Sequence, residues 1–265
     1  MNKQFEIIDF HTHPFINDSY NICQHTSYCN MSAENTVKTM KGLGVSKICG
    51  SVISVPQISK KVYRNEWEKI SDWNATALEL KAIYSDFYIP GFHIHPDYVD
   101  ESLAEIDKMA AAGVKLIGEL VPYMCGNYDC ASQNMRTIVK YAAEKEMVLS
   151  IHTDNSDVMD EFVKANPDIT IVAAHPGELG SVMRHIERAK MSENYYLDIS
   201  GTGIFRHGAL RRLLDTMGAE RILYGTDYPT CNPSMFLGAV LLDELISDEE
   251  KELILAKNTK KLLEL

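Results

Sequence analysis

The chain has 265 residues, and its 37 Asp and Glu residues outnumber its 26 Lys and Arg residues, which gives a formal net charge of -11 at pH 7. This length is close to the roughly 250 residues of one barrel of eight strand–helix units, so one domain over residues 1–265 is predicted. The acidic charge argues against a nucleic-acid partner, and no segment approaches the roughly 20 apolar residues of a membrane span.

Short apolar runs alternate with amphipathic stretches along the whole chain, which is the pattern of repeated strand–helix units. The predicted strands are Glu6–Phe10, Lys47–Ser51, Tyr88–Phe92, Val114–Glu119, Val148–His152, Thr170–Ala174, Tyr196–Ile199 and Arg221–Gly225. The predicted helices are Ala33–Leu43, Lys60–Ile83, Glu101–Ala111, Asn134–Glu146, Asp157–Ala165, Leu179–Lys190, Gly208–Thr216, Pro233–Leu245, Asp248–Leu255 and Asn258–Leu263. This order predicts an α/β fold, a (β/α)₈ TIM barrel whose bottom is closed by the last two helices.

Histidines and carboxylates stand at five of the predicted strand ends, where the active site of a parallel barrel is built. They are His11 and His13, Glu119, His152, His175 and Asp227. Strand side chains alternate with period two, so each of three sets is expected to share one face. The sets are Ile7, Asp9, His11 and His13; Lys115, Ile117 and Glu119; and Leu223, Gly225 and Asp227.

Three histidines and one aspartate suit zinc or a similar first-row ion, and a catalytic site keeps one position open for water. The sequence therefore predicts a divalent metal, zinc by preference, bound at the C-terminal ends of the strands. Alone, each of these motifs has a simpler explanation, since Asp and Gly also form ordinary turns. Their occurrence together, in order and at strand ends, favours the metal site.

Four ordered motifs carry a family resemblance: DFHTHP, LSIHTD, AAHPG and LYGTDYP. Together with the closing segment LAKNTKKLLEL, they resemble the amidohydrolase superfamily over the whole chain, in the branch that holds both metal-dependent hydrolases and metal-dependent decarboxylases. The resemblance implies that His11, His13, His152 and Asp227 bind metal. It also implies that His175 acts on the substrate or on a second ion, and that one or two ions are present.

Glu119 stands where many members with two ions carry a bridging carboxylated lysine, and here the lysine, Lys115, lies four residues earlier. The resemblance to the TatD-like nucleases of the superfamily implies a bridging role for Glu119. An alternative role, as the acceptor that orients a ligand histidine, stays equally open.

His93 and His95 repeat the one-apart spacing in GFHIHP, where substrate contact or support of the ligands is expected rather than a second metal site. Cys23, His25 and Cys29 lie in a long segment, residues 14–32, that is expected to form a lid; residues 122–130 are expected to form a second one. A zinc clip needs four ligands, so these three are not expected to form one. Arg206, His207, Tyr123 and Tyr228 are weaker candidates for binding an anionic group.

Hydrolysis is the leading function, with Asp227 and His175 as catalytic residues acting on an amide, ester or lactone bond of a small molecule. The alternative is non-oxidative decarboxylation of a small aromatic or unsaturated acid, which needs the same ion. A barrel that only binds metal or ligand is a minor alternative. The six cysteines include no CxxC pair and the first residues no leader pattern, so a reduced, cytoplasmic protein is expected, with a homo-oligomer possible.

Overall fold

The computed structural model describes residues 4–15, 32–54, 61–154 and 156–265. Eight parallel strands form one sheet in sequential order. They are β1 (Ile8–Asp9), β2 (Lys47–Ser51), β3 (Tyr88–Phe92), β4 (Leu116–Leu120), β5 (Val148–His152), β6 (Thr170–Ala174), β7 (Tyr195–Asp198) and β8 (Ile222–Leu223). The sheet closes on itself, because the Phe10 amide donates to the Tyr224 carbonyl at 2.9 Å and Thr12 pairs with Tyr228.

Helices connect the strands. In the described ranges they are α1 (Ala33–Gly42), α2 (Glu66–Ile83), α3 (Val99–Ala111), α4 (Gln133–Glu144), α5 (Asp157–Ala165), α6 (Leu179–Met191), α7 (Ala209–Met217), α8 (Pro233–Leu241), α9 (Asp248–Glu252) and α10 (Asn258–Leu263), with a π-helical turn at Leu253–Lys257. Ser32, Asn65, Ser132 and Ser156 begin four of the helices, and each side chain accepts a backbone amide of the first turn. No helix in the described ranges is long and apolar enough to span a bilayer.

The buried apolar residues form two clusters. One lies inside the barrel, and the other lies in the layer between the strands and the helices. The inner cluster contains one or two residues from each of six strands together with two from the C-terminal segment: Ile8, Phe10, Cys49, Leu116, Val148, Val172, Leu223, Ala256 and Leu263. The outer, larger cluster joins strand residues such as Ile48 to helix residues such as Trp73. The C-terminal segment therefore plugs the barrel at the end opposite the C-terminal ends of the strands. The predicted barrel is confirmed.

The expected alternation of side chains is wrong for the first and fourth strands. Ile7 and Ile117 lie in the outer cluster, whereas His11 and Glu119, expected on the same faces, point to the inside. In the fourth strand Gly118 takes a positive φ of 89°, and the pairing with β5 shifts register between Ile117 and Leu120. A local irregularity of this kind turns the following side chain to the other face.

The ends of several elements differ from their predicted bounds. β1 and β8 are two residues long in the ladder, because both strands leave the regular pairing as they approach the histidines and Asp227. α2 begins at Glu66, after the Asn65 cap, and α8 ends at Leu241. Lys60 and the expected lid residues Cys23, His25 and Cys29 lie outside the described residues.

The plug generates a stability prediction. Leu263 is 5% exposed inside the inner cluster, so Leu263→Ala should lower the free energy of unfolding by about 2–5 kcal/mol, the usual cost of a buried Leu-to-Ala truncation. Leu242, 80% exposed at the end of α8, supplies the matched control, and Leu242→Ala should change this free energy by less than about 0.5 kcal/mol. Urea unfolding followed by circular dichroism measures both. Equal effects of the two changes would contradict the plug.

Candidate metal centre

The six predicted site residues come together at the C-terminal end of the barrel. Two overlapping groups have ligand atoms that all lie within 4.8 Å of one another: His11, Glu119 and His175, and His11, His13 and Asp227. His152 joins them through its Nδ1 atom, 3.0 Å from a Glu119 oxygen. Strands β1, β4, β5, β6 and β8 thus each contribute to one cluster.

Glu119 lies in the middle of this cluster, with each carboxylate oxygen facing a different pair of histidines. Its Oε2 atom is 3.2 Å from His11 Nε2 and 3.2 Å from His13 Nε2. Its Oε1 atom is 3.0 Å from His152 Nδ1 and 3.4 Å from His175 Nε2. The carboxylate is almost wholly buried, at 4% exposure. One carboxylate therefore contacts all four histidines of the cluster.

Asp227 completes the side of the cluster formed by β1. Its Oδ1 atom is 3.5 Å from His13 Nε2 and 3.9 Å from His11 Nε2. The two Nε2 atoms of His11 and His13 are themselves 3.2 Å apart. His11, His13 and Asp227 are each at most 8% exposed. This part of the site therefore lies deep in the mouth of the barrel.

The remaining ring nitrogens of three histidines are held by other groups. His13 Nδ1 is 3.0 Å from the Ser51 carbonyl and must donate to it. His11 Nδ1 is 2.9 Å from Asp198 Oδ2, and His175 Nδ1 is 3.0 Å from Ser200 Oγ. Donation from Nδ1 leaves the lone pair on Nε2, the atom of each ring that faces Glu119.

Unusual backbone conformations orient the side chains of His175 and Asp227. His175 and Asp227 have φ values of 68° and 60°, in the left-handed region that non-glycine residues rarely occupy. The His175 carbonyl accepts a hydrogen bond from His185 Nε2 at 3.0 Å, and the Asp227 amide donates to the His11 carbonyl at 2.8 Å. Such conformations persist where the surrounding contacts fix them, and they are frequent at functional sites.

Burial and close opposite charges shift several pKa values here. Burial alone would raise the pKa of Glu119, but His11, His13 and His152 hold that pKa well below its usual range. Burial would lower the pKa of His11, yet Asp198 and Glu119 raise it well above the ordinary value. Burial raises the pKa of Asp227. A proton and a cation therefore compete for the same nitrogen and oxygen atoms.

The donor set fits a first-row divalent metal. Two ligands on one such ion, each about 2.0–2.1 Å from it, lie about 2.8–3.4 Å apart at tetrahedral to octahedral angles. The contacts of Glu119 with the four histidines span 3.0–3.4 Å. Imidazole nitrogens with carboxylate oxygens suit zinc or manganese, and a divalent cation would balance the buried carboxylates.

Three residues of the site were not predicted as such from the sequence. Asp198 is the last residue of β7 and Ser200 lies two residues later, and both are fully buried. Asp9 accepts from Thr226 Oγ1 at 2.6 Å and from the His11 amide at 3.1 Å, so it ties the end of β1 to the end of β8. Burial raises the pKa of Asp9 to about 7. For Asp9 and Asp198, the signal available in the sequence was a lone aspartate inside an otherwise apolar strand.

His93 and His95 support neighbouring segments and belong to neither of the groups described above. His95 Nε2 donates to the Cys125 carbonyl at 2.8 Å, and its Nδ1 accepts the Asp97 amide at 3.1 Å, so these contacts support loop backbone and not a proposed metal ligand. His93 Nε2 donates to the Val52 carbonyl at 3.0 Å, and burial lowers its pKa to about 3. Arg206, a weak candidate for anion binding, instead pairs with Glu178 on the surface.

Comparison with protein families agrees with the resemblance seen in the sequence motifs. The sequence matches the family model described as amidohydrolase over residues 8–265. Comparison with curated proteins gives no match.

Solved structures with this fold include enzymes of two reaction types. A 2,6-dihydroxybenzoate decarboxylase complexed with 2,6-dihydroxybenzoate is 14% identical, with a TM-score of 0.74 and coverage of 99% of this chain and 100% of that one. A dihydroxybenzoic acid decarboxylase from Polaromonas sp. JS666, with bound manganese and the inhibitor 2-nitroresorcinol, is 14% identical at a TM-score of 0.72, covering 99% and 98%. A probable 2-pyrone-4,6-dicarboxylic acid hydrolase from Acinetobacter baumannii, with citric acid bound, is 11% identical at a TM-score of 0.67, covering 100% of each chain. At these identities the likeness shows the fold, a TIM barrel.

The packing of His175 against Gly201 generates a prediction for the site. Gly201 has a φ of 64°, and a Cβ atom there would overlap the His175 ring. Gly201→Ala should displace that ring and weaken metal binding by about 10-fold or more, the usual effect of disturbing a ligand's support. Gly238 in α8 is the matched control, since a Cβ there meets no atom within 4 Å. Metal titration of both variants tests this, and unchanged affinity in Gly201→Ala would contradict the packing.

Proposed function

This chain belongs to the amidohydrolase family, and from that premise we propose that it is a metal-dependent hydrolase with two divalent ions held on either side of Glu119. One observation carries the proposal. The two oxygens of the Glu119 carboxylate face two separate pairs of histidines, at 3.2 Å from His11 and His13 and at 3.0–3.4 Å from His152 and His175. A carboxylate that only oriented one histidine would not need both contacts.

The ligands divide into two halves that share Glu119. We assign His11, His13 and Asp227 to an inner half and His152 and His175 to an outer half. The inner half is the more deeply buried, since the His11 and His13 side chains are 2% and 1% exposed and His152 is 30% exposed. Zinc and manganese both accept this mixture of nitrogen and oxygen ligands.

The reaction assigned to the site is attack of water on an amide, ester or lactone carbonyl of a small molecule. A divalent ion of this kind would lower the pKa of a bound water toward about 7 and would polarise a carbonyl. Asp227 is the group that accepts the proton of the attacking water and returns it to the leaving group. Asp227 Oδ1 lies 3.5 Å from His13 Nε2, within reach of a water held at the inner half.

Tyr123 is placed to contact the substrate above the outer half. Its ring meets the His152 ring edge-on, with centroids 5.3 Å apart, and it is 60% exposed. Partial burial and the carboxylates of Glu119 and Asp227 raise the pKa of Tyr123, so the phenol stays protonated and can donate. Lys69 and His95 fix the segment that carries it by donating to the Met124 and Cys125 carbonyls, both at 2.8 Å.

Decarboxylation of a small aromatic or unsaturated acid is the second candidate, and the comparisons favour it over hydrolysis. Two of the three solved structures compared above are decarboxylases. That reaction needs one ion to orient a carboxylated substrate, so the inner half alone would serve it. The number of ions and the products formed separate the two candidates.

Metal content per chain tests the role of Glu119. Protein purified without added metal should contain two equivalents, and Glu119→Gln should contain about one, because an amide cannot hold both halves. His11→Ala, which removes an inner ligand and leaves Glu119 in place, is the comparison variant. Elemental analysis gives the stoichiometry, and assays with lactone, ester and amide panels give the products.

The opposite results identify the second candidate. One equivalent that survives Glu119→Gln and disappears in His11→Ala would overturn the two-ion site. Carbon dioxide released from 2,6-dihydroxybenzoate or related acids, with no hydrolysis of the panels, would establish the decarboxylase instead.

Asp227→Asn tests the proton transfer. The asparagine keeps an oxygen facing His13, so most of the bound metal should remain, while turnover should fall by about 10²–10⁴-fold because the base is lost. Asp168→Asn, at an exposed position, should leave both unchanged and serves as the control. Full activity of Asp227→Asn with normal metal content would exclude this mechanism.

A further inference from the structure

Two side chains that lie behind the proposed ligands form a network that reaches both halves of the centre. Ser200 Oγ is 3.0 Å from His11 Nδ1 and 3.0 Å from His175 Nδ1. Ser200 Oγ also hydrogen-bonds to Asp198 Oδ1, and Asp198 Oδ2 is 2.9 Å from His11 Nδ1. Asp198 and Ser200 are both 0% exposed. A short buried network therefore runs from an inner ligand to an outer ligand along β7.

The donors and acceptors of this network allow one arrangement of protons. The Asp198 carboxylate only accepts, and it is approached by the Ser200 amide at 2.9 Å, by the Ser200 hydroxyl and by His11 Nδ1. The single hydroxyl proton of Ser200 goes to Asp198, so its oxygen is left to accept. His175 Nδ1 must then donate to Ser200, and His11 Nδ1 to Asp198.

The consequence for the two histidines is a fixed tautomer. With the proton on Nδ1, each ring has its lone pair on Nε2, and these Nε2 atoms are 3.2 Å and 3.4 Å from the Glu119 carboxylate. The opposite tautomer would put a proton where a ligand atom is required. Asp198 acts on His11 directly and on His175 only through the Ser200 hydroxyl.

We propose that Asp198 and Ser200 are positioning residues that fix the tautomers of His11 and His175, so that Asp198 sets the metal affinity of both halves and Ser200 sets that of the outer half. The inference rests on the two-ion centre of the proposed function. It also assigns an asymmetry, because removal of the hydroxyl breaks the connection to the outer half and leaves the connection to the inner half.

The test is the metal affinity of each half, measured by titration with zinc in chelator-buffered solution. Ser200→Ala should weaken the outer ion by about 10- to 100-fold, the usual effect of removing a partner of a ligand histidine, and should leave the inner ion unchanged. Asp198→Asn should weaken both ions, since an amide offers one acceptor oxygen and a donor in place of two acceptors. The absorption spectrum of the cobalt-substituted protein reports the geometry of each half independently of turnover.

A second buried serine controls for general loosening of the fold. Ser54 is 1% exposed, and its hydroxyl accepts from Trp73 Nε1 at 3.0 Å. Ser54→Ala should lower thermal stability without a change in either affinity. The selective loss of the outer ion in Ser200→Ala, absent from Ser54→Ala, is the result expected from the tautomer network.

Failure of this inference and failure of the proposed function give different results. Two ions bound by the natural chain, with unchanged affinities in Ser200→Ala, would overturn the inference and leave the two-ion hydrolase standing. The inference would also be overturned if Ser54→Ala weakened the binding of both ions as much as Ser200→Ala does. A single ion in the natural chain would overturn the two-ion function, and the connection between halves with it.

Discussion

The structure of the site depends on one buried carboxylate. Taking the charge of Glu119 out of water costs several kcal/mol unless nearby positive charge compensates it. In the proposed centre that charge would come from cations held between Glu119 and histidines on three other strands. These histidines can hold a cation against Glu119 only if they stay in place, which requires a second contact behind the ring. Ser51, Asp198 and Ser200 supply such contacts. The polar end of the barrel is thus a closed set of mutual constraints.

Much of the fold could be predicted because it follows from repetition. Strand–helix alternation indicated eight strands, all eight occur in the expected order, and the helix starts follow capping residues that are visible in the sequence. The faces of the first and fourth strands could not be predicted from period-two alternation. Gly118 and the irregular end of β1 each change the face, and such irregularities depend on how neighbouring strands pair. Those same irregularities turn His11 and Glu119 toward each other.

The candidate site was predictable to a similar degree. The six residues expected at strand ends do lie together, because parallel strands all end at one rim. Asp198 and Ser200 were missed since they stand inside an apolar strand, in LDIS, where a polar residue has no sequence neighbour to mark its purpose. Their role depends on contacts with residues about 190 and 25 positions away, which sequence spacing does not encode.

The difference in burial between the two halves has a chemical meaning. The inner half is enclosed by β1 and β8, which Asp9 joins through Thr226, so its ligands are preorganised and have little freedom to move. The outer half has one ligand that is partly exposed and another, His175, that depends on a single hydroxyl and on the His185 hydrogen bond to its own carbonyl. In the proposed centre an ion there would meet solvent and substrate first and would be held by fewer fixed groups. Under the two-ion proposal, the occupancy of this outer half therefore decides the chemistry: one enclosed ion can orient a substrate, whereas two ions around a shared carboxylate are suited to direct water at it.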